Sequence, residues 1–206
     1  MTAPDAAIPA PRSLPGLARS LATWRRLRRI KQGHVAELCG VSQATVSRWE
    51  AGLQVPTEAQ AGRLRRMMAA RPDSAADHAL LRLVRQSAGE AHLVCDLTHR
   101  LLAASPAREA RWRASARDLA GVSLWRFASA EIMAAERRLE ELGWFAPAAP
   151  AIRVATGPNA SPVVPIRPGA FTWTRLQLSD GSFVRLVETE DAGGAPAGGP
   201  SAQGTG

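Results

Sequence analysis

The first third of the chain carries apolar residues at helical spacing and predicts four or five short helices. Over residues 17–30 the apolar positions recur at steps of three and four, which predicts an amphipathic helix. Val35, Leu38 and Cys39 continue the pattern and predict a second helix with its apolar side toward a core. These segments open a predicted all-α domain over residues 17–70.

The next segment predicts a tight turn and then a helix with two different faces. Gly40 accepts the positive φ found at many helix ends, and Ser42 is a good N-cap for the following helix. Val46 and Trp49 form the apolar side of that helix. A small, polar face is left outside the core, made of Gln43, Ala44, Ser47 and Arg48.

Two more helices are predicted before residue 90. Residues 53–55 are expected to pack back on the helical core, and Thr57 with Gln60 has the spacing of a capping box, which opens a helix to about residue 70. A linker over 71–90 contains a further helix, whose apolar side is Leu80, Leu81, Leu83 and Val84. That side needs a partner, either the following domain or its own copy in a dimer.

Residues 91–190 change to strand-like patterning. Alternating or short apolar runs predict five strands, at 91–97, 101–105, 151–155, 171–178 and 182–188. Ser179, Asp180 and Gly181 predict a hairpin turn between the last two strands. Helices are predicted at 106–116 and 129–142. This order favours one antiparallel sheet with its helices on a single face.

Charge is concentrated in the helical segment. Residues 18–71 contain eleven Lys and Arg against three acidic residues, so this segment carries the whole net charge of +8. The chain has a single lysine, Lys31, and arginines supply the rest of the positive charge. A basic field confined to one domain indicates that this domain binds a polyanion.

The remaining composition narrows the class of protein. No apolar run approaches a membrane span, and the Ala- and Pro-rich residues 1–16 lack the features of a secretory signal. Residues 1–16 and 191–206 are expected to be disordered tails. Cys39 and Cys95 do not make a disulfide framework, and no Cys/His spacing suggests a metal site. A cytoplasmic protein without a cofactor is expected.

Five positions of the helical segment resemble the helix-turn-helix of XRE-family, lambda-repressor-like regulators. These are Gln32, Ala36, Gly40, Val46 and Trp49, within a similarity that runs from about Leu17 to Met68. The resemblance implies that the second helix of the motif enters the major groove of double-stranded DNA. It also implies a phosphate contact by Gln32 and a base contact by Gln43.

The physical chemistry of the side chains agrees with those implied roles. A Gln amide pairs with adenine, an Arg guanidinium matches guanine, and a small residue meets a thymine methyl. Base contacts are therefore expected from Gln43, Ala44, Ser47 and Arg48, and phosphate contacts from Gln32, Lys31, Arg28 and Thr45. The structural positions of the motif are Ala36, Gly40, Val46, Trp49, Arg25 and Glu50. Arg25 is expected either to pair with Glu50, as in this family, or to face phosphate.

The C-terminal half resembles a PAS sensor domain through three segments. They are D-L-T-H-R-L-L-A-A-S at 96–105, D-L-A-G-V-S-L at 118–124 and L-S-D-G-S-F-V-R-L at 178–186. In such domains an Asp closes the first strand, a hairpin leads to the second, and a Gly follows the first short helices. The expected fold is therefore α+β, with an N-terminal all-α helix-turn-helix bundle followed by an α+β PAS-like domain with a five-stranded antiparallel sheet.

Residue counts argue against several chemistries in this half. A self-cleaving repressor needs a Ser nucleophile with a Lys base, and Lys31 lies in the other domain. A cupin metal site or a haem-binding PAS domain needs a later His, and no His follows His99. Cys95 is expected to be a small core residue. His34 and His99 are expected to be solvent-facing turn residues or to lie near phosphate. Four tryptophans are expected to pack in the core, and the alternative is that they line a ligand pocket; they are Trp112, Trp125, Trp144 and Trp173.

These expectations lead to a non-enzymatic, sequence-specific DNA-binding transcriptional regulator. A homodimer is expected to bind two half-sites, and the C-terminal domain to dimerise or to bind an unidentified small ligand or protein. Two alternatives stay open. One is an antitoxin-type interaction protein that autoregulates its operon and masks a partner, and the other is a ligand-responsive, enzyme-like domain.

Overall fold

The computed structural model describes residues 16–190. The tails predicted at 1–16 and 191–206 lie outside the described residues, apart from Gly16. The described part is mixed α+β, with helices to residue 86 and a five-stranded antiparallel sheet after them, which confirms the expected fold class.

Four helices form the helical bundle at the N-terminal end. They are α1 (Leu17–Leu27), α2 (Gln32–Cys39), α3 (Gln43–Glu50) and α4 (Glu58–Met68). Their common core contains the fully buried side chains of Leu21, Val35, Val46, Trp49 and Leu64. The helical periodicity therefore predicted the bundle correctly, because these residues recur on one side of each helix.

The ends of the helices are fixed by local hydrogen bonds that the sequence also predicted. Gly40 ends α2 with φ of 67°, in the left-handed region. The Ser42 hydroxyl accepts the backbone N–H of Thr45 at the start of α3. Thr57 and Gln60 form the expected capping box at the start of α4.

Three apolar residues of the bundle do not pack as predicted. Leu38 is 46% exposed, because Ala36 takes the inner position where α2 meets α3 and turns the buried side of α2 away from Leu38. Leu53 and Val55 are 78% and 86% exposed. The chain leaves α3 through Gly52, which has φ of 72°, and runs along the surface instead of returning to the core.

The linker helix α5 (Ala75–Gln86) packs on the sheet that follows it. Its Leu81 and Val84 lie in one buried cluster with Leu93 and Ala103 of the sheet. Of the two partners considered for the apolar side of α5, the structure therefore shows the following domain. Leu83 is 68% exposed and does not join that cluster. The helices within residues 91–190 pack on a single face of the sheet, as predicted, and the linker helix α5 covers the other face.

We call residues 91–190 the sheet domain. Its strands are β1 (Ala91–Cys95), β2 (Leu101–Ala104), β3 (Ile152–Thr156), β4 (Gly169–Gln177) and β5 (Phe183–Thr189). All neighbours are antiparallel, in the order β2-β1-β5-β4-β3. Between β2 and β3 lie α6 (Pro106–Glu109), α7 (Ala116–Leu119), a 3-10 turn (Leu124–Phe127) and α8 (Ala130–Arg137). The helices predicted at 106–116 and 129–142 are therefore shorter than expected.

A buried charge cluster joins three strands of the sheet domain. Asp96, 2% exposed, follows β1 and accepts hydrogen bonds from Arg175 Nε at 3.1 Å and from Arg185 Nη2 at 2.8 Å. Trp144 Nε1 donates to the same carboxylate at 3.1 Å, and Arg185 Nη1 donates to Glu136 at 2.7 Å. Burial raises the pKa of Glu136, but the charges of Arg185 and His99 outweigh it and the pKa lies well below its ordinary value.

The helical bundle contacts the sheet domain through α1. Arg28 Nη1 donates to the carbonyl oxygen of Asp180 at 2.5 Å, at the tip of the β4–β5 hairpin. Arg26 Nη1 lies 3.1 Å from Glu140 Oε1, and the Ser20 hydroxyl donates to the carbonyl oxygen beside Asp96, that of Leu97, at 3.2 Å. None of the helices within residues 16–190 has both the length and the apolar run needed to cross a bilayer.

The Asp96 cluster gives a stability prediction. Asp96→Asn keeps the shape of the side chain but removes the charge between two buried guanidinium groups, so we expect a loss of about 3–5 kcal/mol of unfolding free energy. Denaturant unfolding followed by tryptophan fluorescence measures it. Glu141→Gln is the matched control, because its exposed pair with Arg138 contributes little. An equal, small effect in both variants contradicts the prediction.

Candidate nucleic-acid interface and sheet-domain cavity

The outer face of α3 is the candidate nucleic-acid interface. Val46 and Trp49 are buried at 0% and 1% exposure, and they fix the rotation of α3 against the rest of the bundle. The opposite side points to solvent, and its exposed residues are Gln43, Ala44, Ser47 and Arg48. The structure therefore leaves these four side chains accessible for base contacts, as the sequence analysis requires.

The turn between α2 and α3 holds the two helices close together. The Val41 N–H donates to the carbonyl oxygen of Ala36 at 3.0 Å, and the Gly40 N–H donates to that of Glu37 at 3.2 Å. Ala36 is 3% exposed, and its small side chain lies in the core shared with α3. This is the close packing that a helix-turn-helix needs to project its second helix.

Glu50, at the end of α3, ties together the end of α1 and the start of α2. Arg25 Nε donates to Glu50 Oε1 at 2.7 Å, and Gln32 Nε2 donates to Oε2 at 2.9 Å. Burial raises the pKa of Glu50, but the hydrogen bonds from Arg25 and Gln32 outweigh it and leave the pKa below its ordinary value. Of the two roles considered for Arg25, the structure shows the ion pair with Glu50.

Three of the four residues expected at phosphate have hydrogen-bond partners inside the protein. Gln32 uses one amide hydrogen on Glu50, and Arg28 binds Asp180 across the contact between the domains. Sequence reasoning missed both partners because they lie 18 and 152 positions away. Lys31 is exposed beside the start of α2, and Thr45 is half-buried with its hydroxyl 2.9 Å from that of Ser42.

Gln54 is a residue of the interface that sequence reasoning did not single out. Its side-chain oxygen accepts Arg48 Nε at 3.0 Å, and its backbone N–H donates to the carbonyl oxygen of Arg48 at 3.3 Å. The positive φ of Gly52 turns the chain back toward α3 and makes both bonds possible. A Gly shortly after a helix is the signal that would have suggested this return.

A second candidate site is a cavity of about 770 Å³ in the sheet domain. Trp112, Trp125 and Trp173 border it, whereas Trp144 is fully buried in the core beside Asp96. Core packing and pocket lining therefore both occur among the four tryptophans. Within residues 16–190, no group of three or more His, Cys, Asp or Glu is arranged to hold a metal ion.

The position of His99 differs from the sequence expectation. It was expected to face solvent, but its side chain is 14% exposed and borders the cavity. The His99 backbone has φ of 55°, which turns the ring inward to within 4.9 Å of the Trp125 ring and 3.3 Å of a Glu136 oxygen. His34 is exposed, and Cys95 is buried as a small core residue, as expected.

One comparison with known proteins identifies part of the chain. A family model described as a helix-turn-helix domain matches residues 17–79. A search of curated proteins finds no match to the chain. The matched segment contains the whole helical bundle and the start of α5, so the candidate interface lies in a helix-turn-helix domain.

The Glu50 contacts give a prediction for pH. Because the folded pKa is below the ordinary value of 4.5, Glu50 stabilises the fold above that pH and loses this effect as the pH falls through the lower, folded value. Glu50→Gln should therefore be less stable than the native chain at pH 7, and the difference should shrink toward pH 3. Thermal unfolding across this range measures it.

Glu37→Gln serves as the control for that experiment, since the Glu37 side chain is 79% exposed. Its stability should follow the native chain closely at every pH. A deficit of Glu50→Gln that stays the same from pH 7 to pH 3 contradicts the role given to the ionised carboxylate.

Proposed function

We propose that this chain, whose residues 17–79 form a helix-turn-helix domain, is a sequence-specific transcriptional regulator of the XRE type. The observation that carries the proposal is the exposed polar face of α3 held over the buried Val46 and Trp49. A helix of this kind fits a major groove and presents hydrogen-bonding groups to base edges. The positive charge of the same domain supports binding to a polyanion.

Base choice is assigned to the α3 face. Gln43 at the first turn offers an amide to adenine, Arg48 offers its guanidinium to guanine, and Ala44 meets a thymine methyl. Ser47, between them, can donate or accept. The bond from Arg48 Nε to Gln54 leaves the terminal Nη groups to point outward as the fork that guanine O6 and N7 require.

Phosphate binding is assigned first to Lys31 and Thr45. Lys31 is exposed, and its carbonyl oxygen accepts the backbone N–H groups of His34 and Val35 in the first turn of α2, so the residue lies at the positive end of that helix. Gln32 keeps one amide hydrogen for phosphate while the other binds Glu50. Arg28 reaches phosphate only if it leaves Asp180, and we therefore rank it last.

The sheet domain is proposed to be PAS-like and sensory. Three features support this: Asp96 closes β1, a tight connection leads to β2, and Gly121 follows the short helices α6 and α7. A cavity of about 770 Å³, bordered by α6 and the residues that follow it, supports ligand binding. A homodimer that binds two half-sites about one helical turn apart is proposed for the whole chain. Palindromic preferred sites would agree with it.

Arg48 provides the direct test of base contact. The preferred duplex is first selected from random sequences with the full chain, and the affinity is then measured at fixed salt. Arg48→Ala should cost about 1–3 kcal/mol at that site and relax the preference at one position, because one bidentate pair is lost. Gln43→Ala should behave in the same way at another position.

The matched control is Arg117→Ala, an exposed arginine of the sheet domain, which should leave the affinity unchanged. If Arg48→Ala weakens binding equally on every sequence, Arg48 contacts phosphate and the assignment to bases is wrong. If the native chain shows no salt-sensitive affinity for duplex DNA, the proposed function itself is wrong.

Lys31 tests the phosphate assignment. Lys31→Ala should weaken binding to preferred and random duplexes alike. It should also lower the slope of log affinity against log salt by about one, since about one counterion fewer is released. Lys31→Arg keeps the charge and should keep the slope. A slope that is the same for Lys31→Ala and for the native chain removes Lys31 from the interface.

A further inference from the structure

The cavity of the sheet domain extends along one face of the sheet, between two ends with different charge. Its floor is formed by side chains of β1, β5 and β4 that alternate toward the same face, such as Val94, Val187 and Trp173. At one end β1 begins and β5 finishes, so that Ala91 pairs with Glu188. We call this the open end. The Asp96 cluster lies at the other end.

The middle of the cavity is apolar and aromatic. Trp112 and Trp125 stand over the sheet, Trp173 lies in its floor, and Phe127 and Val164 complete the walls. Such walls favour a flat apolar molecule, because aromatic faces stack on it and aliphatic groups exclude water. The volume of about 770 Å³ is within the range of small-molecule sites.

The open end carries positive charge in excess. Four arginines border the cavity there or beside it, against one acid, Glu90; they are Arg108, Arg111, Arg113 and Arg167. Arg111 binds Glu90 at 2.6 Å, and Arg108 Nη1 lies 3.6 Å from the same carboxylate, so this one acid partly compensates both guanidinium groups. Arg113 and Arg167 are exposed. A net excess of guanidinium ions around an apolar cavity attracts an organic anion.

Arg108 is the buried member of this group. Its side chain is 7% exposed, its Nη2 donates to the carbonyl oxygen of Glu90 at 3.0 Å and to the Thr189 hydroxyl at 2.6 Å, and it lies 5.1 Å from the Phe171 ring centre. Its Nε is buried and has no hydrogen-bond partner within the described part of the chain. Burial lowers the pKa of Arg108 to about 10, against the charge of Glu90, so it stays protonated at neutral pH.

His92 lies beside Arg108 on the cavity floor and, like Arg108, has a buried nitrogen without a hydrogen-bond partner among the described residues. Its Nδ1 is buried and makes no hydrogen bond to any described residue, and its ring meets Trp112 edge to face at 5.7 Å. Burial, together with the nearby charge of Arg108, holds the pKa of His92 well below its ordinary value. It is therefore neutral at pH 7 and adds a polar group without adding charge.

The opposite end of the cavity attracts an anion less strongly than the open end. Arg185 borders it, but its guanidinium is paired with both Asp96 and Glu136. His99 there faces Glu136 at 3.3 Å. Because two carboxylates balance the cations of this end, an anion gains its binding energy at the open end.

We propose that the cavity binds a small organic anion with a flat apolar body. Its acidic group is held at the open end by Arg108, with Arg113 and Arg167 at the mouth, and its body lies between Trp112, Trp125 and Trp173. This assignment deepens the sensory role proposed above, on which its biological meaning rests, and the binding itself does not require DNA.

The test uses 1-naphthoate as the probe and its neutral isostere 1-naphthamide as the comparison. Titration calorimetry on the full chain, at fixed ionic strength and pH 7, should show naphthoate binding about tenfold more tightly than naphthamide, since only the carboxylate makes charge-assisted hydrogen bonds. Acetate, which has the charge but no flat body, should bind at least about tenfold more weakly than naphthoate.

Variants at the mouth locate the charge. The triple change Arg111→Gln, Arg113→Gln and Arg167→Gln should lower the preference for naphthoate, because only Arg108 then remains to hold the carboxylate, and leave naphthamide binding unchanged. These side chains are exposed or half-exposed, so the fold should tolerate their loss, unlike that of Arg108. The matched control changes three exposed arginines elsewhere to Gln, at Arg82, Arg117 and Arg138, and should keep the preference.

The proposal is overturned if naphthamide binds as tightly as naphthoate, if the control triple lowers naphthoate affinity as much as the mouth triple, or if no naphthyl probe binds. DNA affinity is measured separately and without probe. Failure to bind duplex DNA with intact naphthoate binding therefore rejects only the regulator, and the converse result rejects only the anion site.

Discussion

The sheet domain depends on a buried carboxylate held between two buried arginines. Asp96 and Glu136 compensate Arg175 and Arg185, and every one of these groups must give up water to take its place. Aromatic rings replace part of that hydration, since Arg185 lies 4.4 Å from the Trp173 ring centre and Arg175 lies 3.5 Å from that of Phe183. Charge balance and aromatic stacking together offset the free energy lost when these groups give up water. The cluster in turn holds β1, β4 and β5 in one register.

The position of this carboxylate also connects the two halves of the molecule. Asp96 ends β1, the next carbonyl oxygen accepts a bond from Ser20 of α1, and Glu136 precedes the residue whose carbonyl accepts a bond from Arg19. The charge cluster, one end of the cavity and the surface that meets the helical bundle are thus neighbours in the fold. The helix-turn-helix domain and the domain with the cavity share this corner.

The sequence was sufficient for features that are decided within one or two helical turns. The burial of Val46 and Trp49, the caps at Ser42 and Thr57 and the turn at Gly40 depend on neighbours a few positions away, and all were predicted. The exposed face of α3 follows from them, which is why the candidate interface could be drawn before the fold was known.

Features that depend on segments far away in the sequence could not be predicted from such local patterns. Arg28 and Gln32 found partners that only the tertiary fold brings near, and the ring of His99 turned inward because its backbone adopts a positive φ that composition does not reveal. The exposure of Leu53 depends on how the chain leaves α3. The Asp96 cluster joins residues up to 89 positions apart, so an aspartate in this position signalled a strand end but not its partners.

The β4–β5 hairpin reaches from the open end of the cavity to the helical bundle and to α5. Phe171 and Thr189 line the open end of the cavity, while at the other end of the same two strands the tip binds Arg28 through Asp180 and Asp77 through Ser179. A paired hairpin of this length is about 25–30 Å long, and it lies in the middle of the sheet, with β1 on one side and β3 on the other. The same two central strands therefore reach from the cavity to the contacts with α1 and α5, so these helices rest on a part of the sheet that is hydrogen-bonded along both edges.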